Sequence, residues 1–169
     1  MNNTSLRKGA RLALLSLIFL TLALALVFGA GLRFNPTPSL PKGVYRVFPK
    51  DSWSGPPAKG DLVSFCLAGE FAELALERGY LEPGSCPSGL RPLLKRVAAL
   101  PGDPVDPYSR PICAVDSHGR PMFPALAPGV IPPGMALVLA DHPGSFDSRY
   151  FGFVPLDSLQ RVEAVWIWN

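Results

Sequence analysis

Leu93-Leu-Lys-Arg-Val-Ala-Ala-Leu-Pro-Gly-Asp103 is an apolar run with one lysine near its centre, closed by a turn signal. In an extended chain successive side chains point to opposite faces. Leu93, Lys95 and Val97 therefore share one face, and Leu94, Arg96 and Ala98 the other. Pro101-Gly102-Asp103 ends the strand. Around this stretch, twenty prolines and sixteen glycines divide the chain into short pieces, which suits a mainly β domain with many turns rather than a helix bundle. Strands are expected over residues 43–48, 61–66, 93–100, 105–107, 112–115, 135–140 and 161–168. Val115-Asp-Ser-His-Gly-Arg120 reads as a hairpin turn with Gly119 at positive φ. One helix is expected over residues 70–78, between Gly69 and Gly79, with Phe71, Leu74 and Ala75 toward one face.

Toward the N-terminus, residues 12–32 contain no charged side chain. Twenty-one helical residues span about 31 Å, enough to cross a bilayer core. The apolar region of a secretory leader is shorter, about 7–15 residues, so an anchor is expected even though Gly29-Ala-Gly31 offers a small-residue cleavage site. The expected layout is a cytoplasmic tail at 1–11, a transmembrane helix at 12–32 and an external domain at 33–169. Residues 1–50 carry seven Lys/Arg and no Asp or Glu, whereas the remainder carries nine Lys/Arg and thirteen Asp/Glu. The basic end brackets the apolar span, which fits attraction to anionic lipid. The net acidic remainder has no basic stripe, which argues against nucleic-acid binding. Arg7, Lys8 and Arg11 before the span nearly balance Arg33, Lys42 and Arg46 after it, so charge alone leaves orientation open. Cys66 and Cys86 bracket a compact insert, about 66–86, and a disulfide between them would need an oxidising compartment. That possibility favours an external domain. Cys113 is the odd thiol, expected to be buried.

Just beyond the span lies Asn35-Pro-Thr-Pro-Ser-Leu-Pro-Lys-Gly43. Pro36, Pro38 and Pro41 hold their predecessors extended, so Thr37 and Ser39 present two hydroxyls on one side. Ser39 lies six residues past Arg33, at most about 20 Å of chain, so it stays near the membrane surface. A serine becomes a nucleophile when a base accepts its proton, and a lysine made neutral by burial is such a base. Lys95, flanked by Leu93 and Val97, is the candidate, because desolvation disfavours its ammonium. Arg96 is not, since guanidinium does not release a proton. Thr37 and the Ser39 backbone N–H are candidate oxyanion donors. In Gly144-Ser-Phe-Asp-Ser-Arg-Tyr-Phe-Gly-Phe-Val154, an extended reading puts Ser145, Asp147 and Arg149 on one face. Asp147 would then pair with Arg149, and Ser145 would bond the Lys95 amine. The plain alternatives are a proline-rich linker, a lysine that snorkels to solvent and a surface turn with a weak ion pair.

Ser39-Leu-Pro-Lys-Gly43, Lys95-Arg-Val with Pro101-Gly-Asp103, and Ser145-Phe-Asp-Ser-Arg-Tyr-Phe-Gly-Phe-Val-Pro155 resemble, in order, the successive boxes of type I signal peptidases. The Asn-x-Thr-x-Ser-x-Pro-x-Gly-x-Tyr start from Asn35 to Tyr45, and an insert ending Gly84-Ser-Cys-Pro87, are similar to their conjugative-transfer, TraF-type branch. The resemblance implies a β-rich catalytic domain on a membrane helix, at the outer face of the cytoplasmic membrane. It implies Ser39 as nucleophile, Lys95 as general base, Ser145 as orienting partner and Asp147 with Arg149 as supporting pair. Thr37 falls where leader peptidases place an oxyanion-hole serine. Many leader peptidases have Gly-Asp-Asn ahead of the third box, where this chain has Ala140-Asp141-His142.

The expectation is a membrane-anchored serine–lysine endopeptidase with a pilin-like precursor as substrate, in contact with the lipid bilayer and without a cofactor. A general leader peptidase for exported preproteins and a non-catalytic pilus-assembly scaffold are the alternatives. A Ser-His-Asp triad through His118 or His142 lacks support, since the first sits in a turn and the second precedes Pro143. No Cys-x-x-Cys or His-x-x-His spacing suggests a metal site. Trp166 and Trp168 share one face of the last strand, as core or membrane-interface residues.

Overall fold

A computed structural model of the chain describes residues 3–107 and 111–168. The first two residues of the expected tail and the last residue of the expected domain lie outside the described residues. Helix α1 (Asn3–Gly29) carries the apolar run as far as Gly29, short of the expected helix end at residue 32 because Leu32 already pairs in the sheet, and its stretch Arg7–Val27 is long and apolar enough to cross a membrane. Its large side chains, such as Leu12, Phe19 and Leu26, are exposed on every side. A helix apolar all round and unpacked against protein is what a bilayer accommodates.

The remainder is sheet-dominated. Strands β1 (Leu32–Asn35), β2 (Gly43–Val47), β3 (Leu62–Phe65), β4 (Leu93–Ala99), β7 (Met135–Leu139), β8 (Val154–Pro155) and β9 (Gln160–Ile167) form an antiparallel sheet in the order β1-β2-β9-β3-β4-β7-β8. A separate two-stranded ribbon joins β5 (Pro104–Val105) to β6 (Gly129–Val130). The last strand runs between β2 and β3, so the chain's C-terminal end ties the membrane-proximal hairpin to the body of the sheet. Gly43 permits this closure, because a Cβ there would collide with the Trp166 carbonyl oxygen across the β2–β9 pair.

The alternation read in the 93–103 stretch holds in space: Leu93, Lys95 and Val97 are buried, while Leu94 and Arg96 are half-buried. Val63, Phe65, Leu93, Val97, Ala136 and Val138 form the core on one face of the central strands. Helix α2 (Gly69–Glu77) covers it with Ala72 and Ala75. The short helix α3 (Ser148–Phe151) adds Phe151, which meets Phe65 edge-on with ring centres 6.0 Å apart.

Cys66 and Cys86 form the disulfide that closes the α2 insert. The turn at residues 115–120 closes as read, with Gly119 at φ 74° and Val115 bridging Pro121. Asp116 clamps this turn to the insert by accepting from Tyr80 Oη (2.6 Å), from Arg120 Nε (2.7 Å) and from the backbone N–H groups of His118 and Arg120.

Three readings are corrected. Residues 112–115 do not form a strand. Their neighbourhood is claimed by other groups: the Pro111 carbonyl accepts from Arg149, Cys113 N–H donates to Tyr150 Oη, and the Ala114 carbonyl accepts from Met122. The 105–107 strand begins one residue earlier and lasts two residues, paired with β6. Cys113 is half-buried rather than buried.

Loss of the Cys66–Cys86 bridge, by reduction or by replacement of both cysteines with serine, is expected to lower stability by about 3 kcal/mol, the value for a loop of this length. Guanidinium unfolding of the detergent-solubilised chain measures it; an unchanged midpoint would show that the core contacts and the Asp116 clamp alone secure the insert.

Candidate active site

Ser39 sits on the connection between β1 and β2, which pair from Leu32↔Arg46 to Asn35↔Gly43. The three prolines make this connection stiff, and side-chain bonds fix it further. Asn35 is 9% exposed, and its Nδ2 lies 3.2–3.3 Å from the carbonyl oxygens of Thr37, Leu40 and Pro41. Its Oδ1 accepts from Thr37 N–H (3.2 Å) and from Thr37 Oγ1 (2.7 Å). Tyr45, 1% exposed, donates its hydroxyl to the Pro41 carbonyl at 2.5 Å. Asp141 N–H donates to the Ser39 carbonyl at 2.8 Å.

The Ser39 hydroxyl lies 3.0 Å from that of Ser145. The sequence reading gave Ser145 to the Lys95 amine instead; among the described residues its hydroxyl bonds Ser39. Among the same residues the Ser39 backbone N–H is not spent on another protein group. Thr37 is differently placed. A hydroxyl has one proton to give, and here that proton goes to Asn35, so donation to an oxyanion would require the hydroxyl to turn.

Lys95 is 3% exposed. It stands opposite Val63 across the β3–β4 pair, between Leu93 and Val97 on the inward face. Among the described residues no carboxylate forms an ion pair with it. Burial is the main cause that lowers its amine from the ordinary 10.5 to about 8; the Asp147 carboxylate works against this and the Arg149 cation with it. Between about pH 8 and 10.5 the unfolded chain binds a proton that the native one does not, so this group's contribution to stability rises with pH through that window. Below it, burying the ammonium costs about 3 kcal/mol.

Asp147 and Arg149 sit deeper than a surface pair. They are 0% and 4% exposed, and Arg149 grips both carboxylate oxygens, Nε to Oδ1 and Nη2 to Oδ2, each at 2.8 Å. Such a two-pronged pair is geometrically specific. The segment is not extended, however. Asp147 caps α3 by accepting Arg149 N–H at 3.1 Å, so the chain turns there. The other carboxylate oxygen accepts Ala140 N–H at 3.0 Å, and the Ser148 hydroxyl accepts Val138 N–H at 2.9 Å. These bonds fasten the third segment to the end of β7.

β7 also connects the two halves of the site. Arg96 faces Leu139 across the β4–β7 pair, two residues before Asp141, which holds the Ser39 carbonyl. The Arg96 guanidinium reaches the Asp141 carboxylate at 3.2 Å. Ser39, Ser145 and the strand bearing Lys95 thus converge on one end of β7. Sequence reasoning missed Asn35, Tyr45, Asp141 and Ser148 as organisers of this arrangement. Only Asn35 left a local signal, an Asn two residues before a Thr, the spacing of an Asx turn.

His118 and His142 are exposed, the latter accepting Gly144 N–H at 3.1 Å. Among the described residues no cluster of His, Cys, Asp and Glu could hold a metal ion. Trp166 is 67% exposed and so is not a core residue; its ring centre lies 5.3 Å from that of Trp168, which stacks on Phe34.

The chain is similar along most of its length to proteins of conjugative transfer. A conjugal transfer protein TraF of Agrobacterium fabrum is 40% identical over 162 aligned residues, covering 88% of this chain and 90% of the relative. A probable conjugal transfer protein TraF of Sinorhizobium fredii is 37% identical, with 90% and 87% covered. A plasmid transfer protein TraF of Escherichia coli is 35% identical, with 80% and 82% covered. The profile of the family described as signal peptidase, peptidase S26, matches residues 6–115 and 107–168. With its apolar N-terminal helix, its sheet and these relatives of the TraF type, the chain belongs to the signal peptidase family, peptidase S26.

Proposed function

We propose that this protein is a membrane-anchored serine endopeptidase that cuts a membrane-associated precursor in conjugative transfer, with Ser39 as nucleophile and Lys95 as general base. The observation that carries this reading is Lys95: a lysine 3% exposed, without a carboxylate partner among the described residues and lowered to about 8, on the strand whose neighbour positions Ser39. An amine held in that range is neutral in a useful fraction near working pH and can accept a proton.

Ser39 Oγ attacks the scissile carbonyl carbon as its proton passes to Lys95 Nζ. The negative charge develops on the carbonyl oxygen, where the Ser39 N–H, and Thr37 once its hydroxyl has turned, can stabilise it. The protonated amine then gives its proton to the departing nitrogen, and an acyl-enzyme remains. Water, losing a proton to Lys95, attacks the acyl carbon, and Lys95 returns that proton to the departing Ser39 Oγ as the acyl group leaves as an acid; a free amine in place of water gives transpeptidation. Ser145 holds the Ser39 hydroxyl, and the Asp147–Arg149 pair keeps α3 and the end of β7 in register around the site. The precursor binds as an added extended strand, with a small side chain before the cut.

A conjugative pilin precursor is the proposed substrate, since the relatives carry the name of conjugal or plasmid transfer proteins. The disulfide and the N-terminal apolar helix support a single-pass protein of the cytoplasmic membrane with its catalytic domain on the periplasmic face. Phe34 and Trp166, both exposed, and the half-buried Trp168 stacked on Phe34 suit the bilayer interface.

Ser39→Ala and Lys95→Ala are each expected to reduce cleavage of a pilin precursor by about 10³-fold or more, read by mass spectrometry of precursor ends with the enzyme in membranes. Processing that continues unchanged in both variants would leave an assembly scaffold. Equal cleavage of pilin and ordinary exported preproteins would indicate a general leader peptidase. In the wild type, kcat/KM should rise with pH to a plateau with a midpoint near 8, because the protonated amine cannot accept the serine proton. Lys95→Arg should remove the activity at every pH, and a rate independent of pH between 6 and 10, as rough bounds, would argue against lysine as the base.

A further inference from the structure

The loop bearing Ser39 is anchored at its far end by the buried Leu40 and by Tyr45 on the Pro41 carbonyl, but its first half lies open. Ser39 is only half-buried, Thr37 is exposed, and the Pro36 and Pro38 rings face solvent. Prolines fix their own φ and keep the preceding residue extended but leave their own ψ free, so they stiffen the segment without choosing one path. The group that reaches the backbone on both sides of Ser39 is a single buried carboxamide. From one residue, Asn35 offers its two N–H donors to the carbonyls of Thr37, Leu40 and Pro41 and its oxygen to both donors of Thr37. The carbonyls it serves lie on both sides of Ser39, and the fourth, that of Ser39 itself, is taken by Asp141 N–H.

We propose that Asn35 is the positioning residue of the nucleophile loop: its amide nitrogen fixes the backbone on both sides of Ser39, and its oxygen holds the Thr37 hydroxyl in reserve beside it. The inference rests on the Ser39 reading for its catalytic meaning, but the loop's dependence on Asn35 stands apart from it. No other residue type does both tasks at this size. Aspartate has the same shape and keeps the acceptor for Thr37, yet it turns oxygen, not N–H, toward three carbonyl oxygens. Alanine removes the side-chain donor from the Thr37 and Leu40 carbonyls and leaves Pro41 with Tyr45 alone. A nucleophile displaced by about 1 Å loses about 10²-fold in rate, so the effect belongs in kcat rather than in binding.

Two measurements on the full chain in detergent micelles decide it. In the unaltered protein the side-chain amide protons of Asn35 should exchange with solvent at least about 10-fold more slowly than those of an exposed asparagine, because they are buried and bonded. Exchange at the exposed rate overturns the proposal, whatever the enzyme does. In Asn35→Asp and Asn35→Ala, backbone amide exchange at residues 37, 39 and 40 should rise at least about 10-fold, with kcat down about 10²-fold and KM within about 3-fold. Asn35→Asp should be at least as impaired as Asn35→Ala although it fills the same volume, a pattern that simple packing does not produce. Wild-type loop exchange and kcat in a folded Asn35→Asp protein would overturn the proposal. Should the unaltered chain cut no precursor, the peptidase reading fails, and the exchange data still settle the role of Asn35.

Discussion

The site depends on keeping one amine out of water. Lys95 lies on the inward row of β4, where Leu93, Val97 and Val63 leave its ammonium poorly solvated and without an ion-pair partner among the described residues. Burial at that position costs about 3 kcal/mol while the amine is charged. The surrounding fold must offset this. The disulfide alone, by closing the α2 insert, contributes a comparable amount. Asp147 stands close enough to influence Lys95 but is committed to Arg149, to Ala140 N–H and to the α3 cap. A carboxylate so engaged is less available to Lys95. Freed from Arg149, it would stabilise the ammonium and raise the amine's pKa.

Around that amine, the antiparallel sheet joins parts far apart in the chain. β9 returns between β2 and β3, tying the membrane-proximal hairpin of Ser39 to the strand pair of Lys95. β7 gives the third segment its anchorage and, through Asp141, holds the Ser39 backbone. The same hairpin follows α1 by only a few residues. The proposed nucleophile, so close to a membrane-length helix, suits a substrate that is itself at the bilayer surface.

Much of this was legible because it follows from local periodicity. The two-residue repeat of 93–97 placed Lys95 among apolar neighbours, and the Gly-bounded 70–78 pattern located α2. The cysteine spacing indicated the insert, and the order of three short boxes gave the family. What was not legible depends on which partner wins a hydrogen bond. The 145–149 segment reads equally well as strand or turn, and Asp147 decides it by taking Arg149 N–H. Residues 112–115 have strand composition, but α3 and the 115–120 turn claim the backbone groups around them. β6 and β8 are two residues long, too short to carry a pattern. The Ser145 hydroxyl reads as a partner of the Lys95 amine, and only the fold brings it to Ser39.

The most direct measurement is the titration of the Lys95 amine itself. The carbon-13 resonance of its ε-carbon can be followed against pH in the intact chain in lipid or detergent, assigned by its disappearance in Lys95→Arg. A midpoint near 8 is expected from burial among Leu93, Val97 and Val63. A midpoint at the ordinary 10.5 would mean that the amine remains solvated and charged at working pH, and would contradict a base at position 95.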